Sequence, residues 1–100
     1  MAKRTGKPGY VEDKEAVLRR LARIEGQVGG LRRMVDEEAY CIDVLTQIAA
    51  VEKALDSVAV KLLADHTNHC FRDAMERGGA EADEKVGEMV ATVERFARTR

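Results

Sequence analysis

Cys41, His66 and Cys70 are the residues of this 100-residue chain best suited to bind a soft metal ion. His66 and Cys70 are four positions apart, so on an α-helix they lie on the same face. Cys41 precedes His66 by 25 positions, and a continuous helix of that length spans about 37 Å. On such a helix, one ion cannot reach all three side chains. Two antiparallel copies could instead place Cys41 of one chain beside the other two residues of the second.

Two thiolates and one imidazole favour a metal ion that accepts few, soft ligands. Zinc prefers four ligands in tetrahedral geometry, whereas thiolates favour Cu(I), so a set of three favours Cu(I). His69 is the one candidate for a fourth ligand, but its angular position relative to His66 favours a supporting or packing role. Other interpretations stay open: each residue could be an ordinary helix residue, or the two thiols could react as a redox switch.

The spacing of apolar residues predicts an all-α protein with three helices per chain. The first helix is expected over residues 13–37, with Asp13 as its N-cap. No Gly or Pro occurs between Cys41 and Arg77, which predicts one long helix over 41–77. Gly78 and Gly79 are expected to cap its C-terminal end, and a third helix is expected over 81–98.

The first two predicted helices form an αα-hairpin whose apolar stripe is too long for the third helix to cover. Pairing two hairpins antiparallel makes a four-helix bundle and buries both stripes. The alternative is a monomeric three-helix bundle. The predicted organisation is a flexible basic tail over residues 1–12, followed by a single helical domain over 13–98.

Charge is distributed unevenly along the chain. Residues 1–33 hold nine basic and four acidic side chains, which gives +5, so the remainder carries −6 of the net charge of −1. This asymmetry indicates an anion-binding N-terminal region. Arg19, Arg20 and Arg23 cluster on the first predicted helix, with Lys14 one turn earlier. The cluster fits DNA phosphates or an ordinary solvated face, but it lacks the aromatic residues that stack on single strands.

Several classes of protein are not expected. The chain has no run of 18 apolar residues and therefore no predicted membrane span. Its start, MAKRTGKPGY, lacks the apolar segment of a secretory signal, so a cytoplasmic location is expected. In a reducing compartment the two cysteines favour metal or redox chemistry over a structural disulfide. An enzyme is not expected, because no catalytic acid–base pair or Gly-rich phosphate loop occurs.

Three stretches, LRRLARIEGQVGGL, MVDEEAYCIDVLTQIAAVEKAL and LLADHTNHC, closely resemble the CsoR-type copper-sensing transcriptional repressors. These form the copper-sensing branch of the CsoR/RcnR/FrmR superfamily, and the match covers about residues 14–75. The resemblance implies a dimer built as an antiparallel four-helix bundle, which assembles as a dimer of dimers. It also implies binding to operator DNA without a helix-turn-helix motif, and release by Cu(I) that derepresses copper-resistance genes.

The resemblance assigns Cys41 of one protomer, with His66 and Cys70 of the other, as Cu(I) ligands. Relatives that sense nickel or cobalt, formaldehyde or persulfide differ at one or more of these positions, so the pattern is the copper one. It further implies a tyrosine and a glutamate that link the metal to the last helix. Tyr40 matches the tyrosine, and Glu81 is the first choice for the glutamate.

The loop after the second helix varies in length within the family, so the position of the glutamate is not fixed by the resemblance, and Glu84 is the second choice. The DNA contacts that the resemblance implies are Arg20, Arg19, Arg23 and Arg77. Lys14, in the same basic cluster, is expected to join them, and Lys3, Arg4 and Lys7 in the tail could add phosphate contacts. Two alternative functions stay open. One is a cytosolic copper buffer or chaperone, and the other is a thiol-redox switch with the same fold.

Overall fold

The computed structural model describes residues 8–98, and these residues form helices and short connections without any strand. A 3₁₀ turn, Val11–Asp13, precedes α1 (Lys14–Asp36), and α2 (Cys41–Asp65) follows a short loop. A π-helical segment, His66–Phe71, then leads into α3 (Arg72–Arg77), and α4 (Gly79–Arg98) ends the described chain. The all-α class is thereby confirmed. No helix within residues 8–98 is both long and apolar enough to cross a membrane.

The long helix predicted over 41–77 is helical throughout, but it is not α-helical throughout. Its middle part, the π segment His66–Phe71, has the wider π-helical winding, and the Arg72 N–H donates to the Thr67 carbonyl five residues earlier. Thr67 and Asn68 are poor α-helix formers, which lowers the cost of leaving the α-helical winding at this point. Short π segments inside α-helices occur frequently at functional sites.

Residues 10–63 form one compact unit. Its core consists of Val17 and Ile24 from α1 packed with Val51 and Val58 from α2. Asp13 occupies the predicted N-cap position of α1, but its side chain makes no capping hydrogen bond. Its carboxylate instead accepts a hydrogen bond from Lys61 Nζ at 2.7 Å, which ties the start of α1 to the later part of α2.

The turn after α1 closes around Glu38, which has a positive φ of 59°. The Ala39 N–H donates to the Met34 carbonyl at 2.9 Å, and the Glu38 N–H donates to the Val35 carbonyl at 3.1 Å. These bonds satisfy carbonyls left open at the helix end, in the manner of a Schellman motif. Glutamate therefore occupies a left-handed position that glycine normally takes.

The second compact unit comprises residues 64–98 with residues 8–9. Ala74 is its completely buried residue. Gly78 (φ 69°) caps α3 as predicted, and Gly79 (φ 64°) begins α4 two residues before the expected start. Gly9 lies against the backbone where α2 meets the π segment, since a Cβ there would overlap the Asp65 carbonyl.

The predicted basic tail is only partly described. Gly9 and Tyr10 form a turn ahead of the 3₁₀ residues Val11–Asp13. The basic residues assigned to the tail lie outside the described residues: Lys3, Arg4 and Lys7.

Candidate metal centre and basic surface

Cys41 is the first residue of α2, and its thiol is exposed and free of any disulfide. Tyr40 starts the helix by accepting hydrogen bonds at its carbonyl from the N–H groups of Asp43 and Val44, at 3.0 and 3.2 Å. Tyr40 is 70% exposed. Cys41 lies at the N-terminal end of α2, which is the positive end of the helix dipole. The candidate ligand thus lies on a regular helix end and is accessible.

His66 and Cys70 both lie in the π segment, and both are half-buried. Cys70 forms no disulfide. His66 Nε2 lies 3.5 Å from Glu88 Oε1, with the two side chains 30% and 29% exposed. Histidines that bind metals usually give their other ring N–H to a carboxylate, which fixes the ring. The contact through Nε2 leaves Nδ1 for a metal, and with two free thiols this donor set fits a soft ion.

Glu88, not Glu81, is the carboxylate beside His66. Both oxygens of Glu81 contact Arg77, at 2.7 Å from Nη2 and 3.0 Å from Nε. The Glu81 assignment therefore has no support in the contacts of this chain. Glu81, Glu84 and Glu88 follow a 3-4 spacing and share one face of α4, so extending that series by one turn could have found Glu88.

His69, the candidate fourth ligand, is exposed, and Glu84 is exposed as well. Within residues 8–98 of one chain, no three His, Cys, Asp or Glu side chains are grouped closely enough to hold a metal ion.

The basic residues predicted on α1 are all exposed: Lys14, Arg19, Arg20 and Arg23. Arg77, at the end of α3, is exposed but is held by Glu81 across Gly78. The hydrogen bond from Arg77 lowers the pKa of Glu81 below its ordinary value, and the same bond raises the pKa of Arg77. Arg19, Arg20 and Arg23 therefore present positive charge to solvent on one side of α1, whereas Arg77 already has an acidic neighbour.

Comparisons with known proteins agree over nearly the whole chain. The family model for metal-sensitive transcriptional repressors matches residues 13–95. The copper-sensing transcriptional repressor RicR of Mycobacterium tuberculosis is 48% identical over 95 residues, which cover 95% of this chain and 99% of RicR.

Two solved structures are similar as well. The Cu(I)-bound copper-sensing repressor CsoR of Geobacillus thermodenitrificans has a TM-score of 0.80 at 39% identity, covering 97% of this chain and 94% of that one. The nickel-responsive transcriptional regulator InrS has a TM-score of 0.70 at 39% identity, and the match covers 82% of this chain and 90% of InrS. The extent of the family match and the identity to a relative of nearly equal length lead to one conclusion: the chain belongs to the family of metal-sensitive transcriptional repressors.

Proposed function

We propose that this protein is a Cu(I)-responsive transcriptional repressor, whose metal-free form binds operator DNA and whose Cu(I)-loaded form releases it. The observation that carries the proposal is the set of donors in and beside the π segment. His66 has one nitrogen against Glu88, and Cys70 lies one turn further along with a free thiol. Thiolates select Cu(I) over harder ions. Similarity to RicR and to Cu(I)-bound CsoR supports the same metal.

The proposed ligands are Cys41 of one subunit with His66 and Cys70 of a second copy. Cys41 is the first residue of α2, and His66 directly follows Asp65, the last residue of that helix. An α-helix of 25 residues is about 37 Å long. Two antiparallel copies of α2 would bring the start of one helix beside the end of the other, which makes two equivalent sites per dimer.

Assembly is supported by apolar side chains that one chain leaves exposed. Leu45 on α2 is 58% exposed, and Val90 on α4 is 51% exposed. Val28 and Val35, on the predicted stripe of α1, are exposed as well. Exposed apolar surface on this scale marks interaction sites. We infer that pairs of α1–α2 hairpins form an antiparallel four-helix bundle and that two dimers form a tetramer.

The proposed operator contacts are made by basic side chains to phosphates. Four exposed residues of α1 supply most of the positive charge: Arg20, Arg19, Arg23 and Lys14. Arg77 is proposed as a further contact. Such contacts release counterions and make affinity fall steeply with salt. The same proposal places the protein in the cytoplasm, beside the genes that it represses, and gives it no enzymatic role.

Cu(I) must bind the DNA-free form more tightly than the DNA-bound form, because the coupling between two ligands is reciprocal. In this proposal, Cu(I) binding changes the positions of Cys41, His66 and Tyr40, and this change is transmitted to the helices that carry the DNA contacts. The contact of His66 with Glu88 links the π segment to α4, and the Arg77–Glu81 pair links α4 to a proposed DNA contact at the end of α3.

A titration of Cu(I) into the protein on its operator, followed by fluorescence anisotropy of labelled DNA, tests the function. We expect DNA affinity to fall by about five- to 150-fold when the sites are filled, the usual range of allosteric coupling. A copper buffer would bind Cu(I) without binding DNA, and a thiol switch would release DNA with oxidant in the absence of copper. Unchanged affinity on loading contradicts the proposal.

A further inference from the structure

One oxygen of Glu88 has two nitrogen neighbours. Oε1 lies 3.5 Å from His66 Nε2 and 3.6 Å from Lys85 Nζ. Lys85 and Glu88 are three residues apart on α4, which places their side chains next to each other. The three side chains are 22% exposed for Lys85, 29% for Glu88 and 30% for His66. The imidazole thus shares its carboxylate oxygen with a lysine ammonium group.

Both distances exceed the usual range for a hydrogen bond to oxygen, about 2.7–3.2 Å. In this arrangement neither His66 Nε2 nor Lys85 Nζ makes a hydrogen bond of ordinary length to Oε1. An ammonium group near a carboxylate attracts it, and partial burial reduces screening by water and salt. Any attraction of Oε1 toward Lys85 weakens its contact with the imidazole.

We propose that Lys85 is a positioning residue that competes with His66 for Glu88 and thereby limits how strongly Cu(I) loading weakens DNA binding. The inference rests on the proposed function, because it assigns Glu88 to the route from His66 to α4. Lys85 lies beside Glu88, and its charge also acts on the Glu81 carboxylate. A Glu88→Gln background is therefore needed to isolate the effect of Lys85 through Glu88.

Lys85→Gln tests this competition against two controls. Lys85→Arg keeps the positive charge, and Lys53→Gln removes an equal charge from an exposed position on α2. For each variant, operator affinity is measured with and without Cu(I), and Cu(I) affinity is measured against a chelator such as bathocuproine disulfonate. The ratio of the two operator affinities is the coupling factor.

We expect Lys85→Gln to raise the coupling factor by about threefold, the effect typical of a partly exposed ion pair. Because coupling is reciprocal, the Cu(I) affinity of the DNA-free protein should rise by a similar factor. Lys85→Arg and Lys53→Gln keep the wild-type factor. In a Glu88→Gln background, Lys85→Gln has no further effect. A coupling factor that stays constant or falls in Lys85→Gln overturns the proposal, as does an undiminished effect without Glu88.

The metal-free protein gives a second readout, independent of DNA. If the competition exists, the side-chain ¹⁵N signals of His66 move in Lys85→Gln and stay in place in Lys85→Arg. If the His66 signals do not move in Lys85→Gln, the inference is overturned, even when Cu(I) releases DNA as proposed. Moved signals in a protein whose DNA affinity ignores Cu(I) support the competition and refute the proposed function, so the two failures are distinguishable.

Discussion

An imidazole has two nitrogens, and in this protein Glu88 lies beside one nitrogen of His66. A carboxylate at Nε2 orients the ring and leaves the other nitrogen for a metal. Because His66 is in the π segment and Glu88 is on α4, the same contact connects two helices. The pair of His66 and Glu88 therefore could both orient the proposed ligand and transmit its state to α4.

Glu88→Gln tests that double role at the residue scale. The amide keeps the shape but loses the charge, so we expect Cu(I) affinity to fall by about ten- to 100-fold, as for other groups that support metal ligands. We expect Cu(I)-driven release of DNA to be largely lost at saturating copper. Chelator competition and fluorescence anisotropy measure the two effects. Glu81→Gln is the matched control, because Glu81 contacts Arg77; loss of the copper response in that variant instead would favour the original Glu81 assignment.

At the scale of elements, apolar spacing predicted the helices closely but not their internal winding. The first helix, expected over 13–37, is Lys14–Asp36, and the last, expected over 81–98, is Gly79–Arg98. Apolar spacing records which side chains are buried, not which carbonyl each N–H contacts, so the π segment left no signal. The choice among the glutamates of α4 depends on the register of that helix relative to His66. Apolar spacing does not give this register, because residues 78 and 79 both adopt positive φ.

The turn between α1 and α2 stores strain that a substitution can remove. Glu38 has φ 59°, and a left-handed backbone costs a residue with a Cβ about 1–2 kcal/mol. Glycine avoids that cost but loses about 0.5–1 kcal/mol more chain freedom on folding. We therefore expect Glu38→Gly to raise the free energy of unfolding by about 0.5–1 kcal/mol, measured by urea unfolding at fixed protein concentration. Glu37→Gly, at φ −88°, should instead be destabilising, and equal effects would contradict the strain argument.

The junction between α3 and α4 is joined by the Arg77–Glu81 ion pair. The hydrogen bond from Arg77 lowers the pKa of Glu81 relative to the unfolded chain. At pH values above the pKa that Glu81 has in the unfolded chain, the ion pair therefore favours the folded state. This contribution is lost as the pH falls through the lower pKa that Glu81 has in the folded chain. We expect the Glu81 carboxyl carbon, followed by NMR, to titrate below the ordinary value of 4.5. Arg77→Met should return the midpoint toward that value, and an unchanged midpoint would show that Arg77 does not hold the carboxylate in solution.

For the whole molecule, the proposed site requires two chains, and this requirement can be tested directly. Cys41→Ala lacks one half of the site, and the double variant His66→Ala/Cys70→Ala lacks the other half. Neither variant alone should bind Cu(I) tightly when a chelator keeps free copper low. Unfolded together and refolded as an equal mixture, they form some mixed dimers, in which Cys41 of the double variant meets His66 and Cys70 of the single variant.

Each mixed dimer contains one complete site, and random pairing makes half of the dimers mixed. Since a wild-type dimer with two-fold symmetry has two equivalent sites, the mixture should recover about one quarter of the wild-type number of tight sites. Equilibrium competition with the chelator counts those sites, and a sample of the two variants refolded separately and never mixed is the control. Tight binding by either variant alone would place a complete site within one chain. No recovery in a mixture that forms mixed dimers would rule out a site shared between Cys41 and the partner pair.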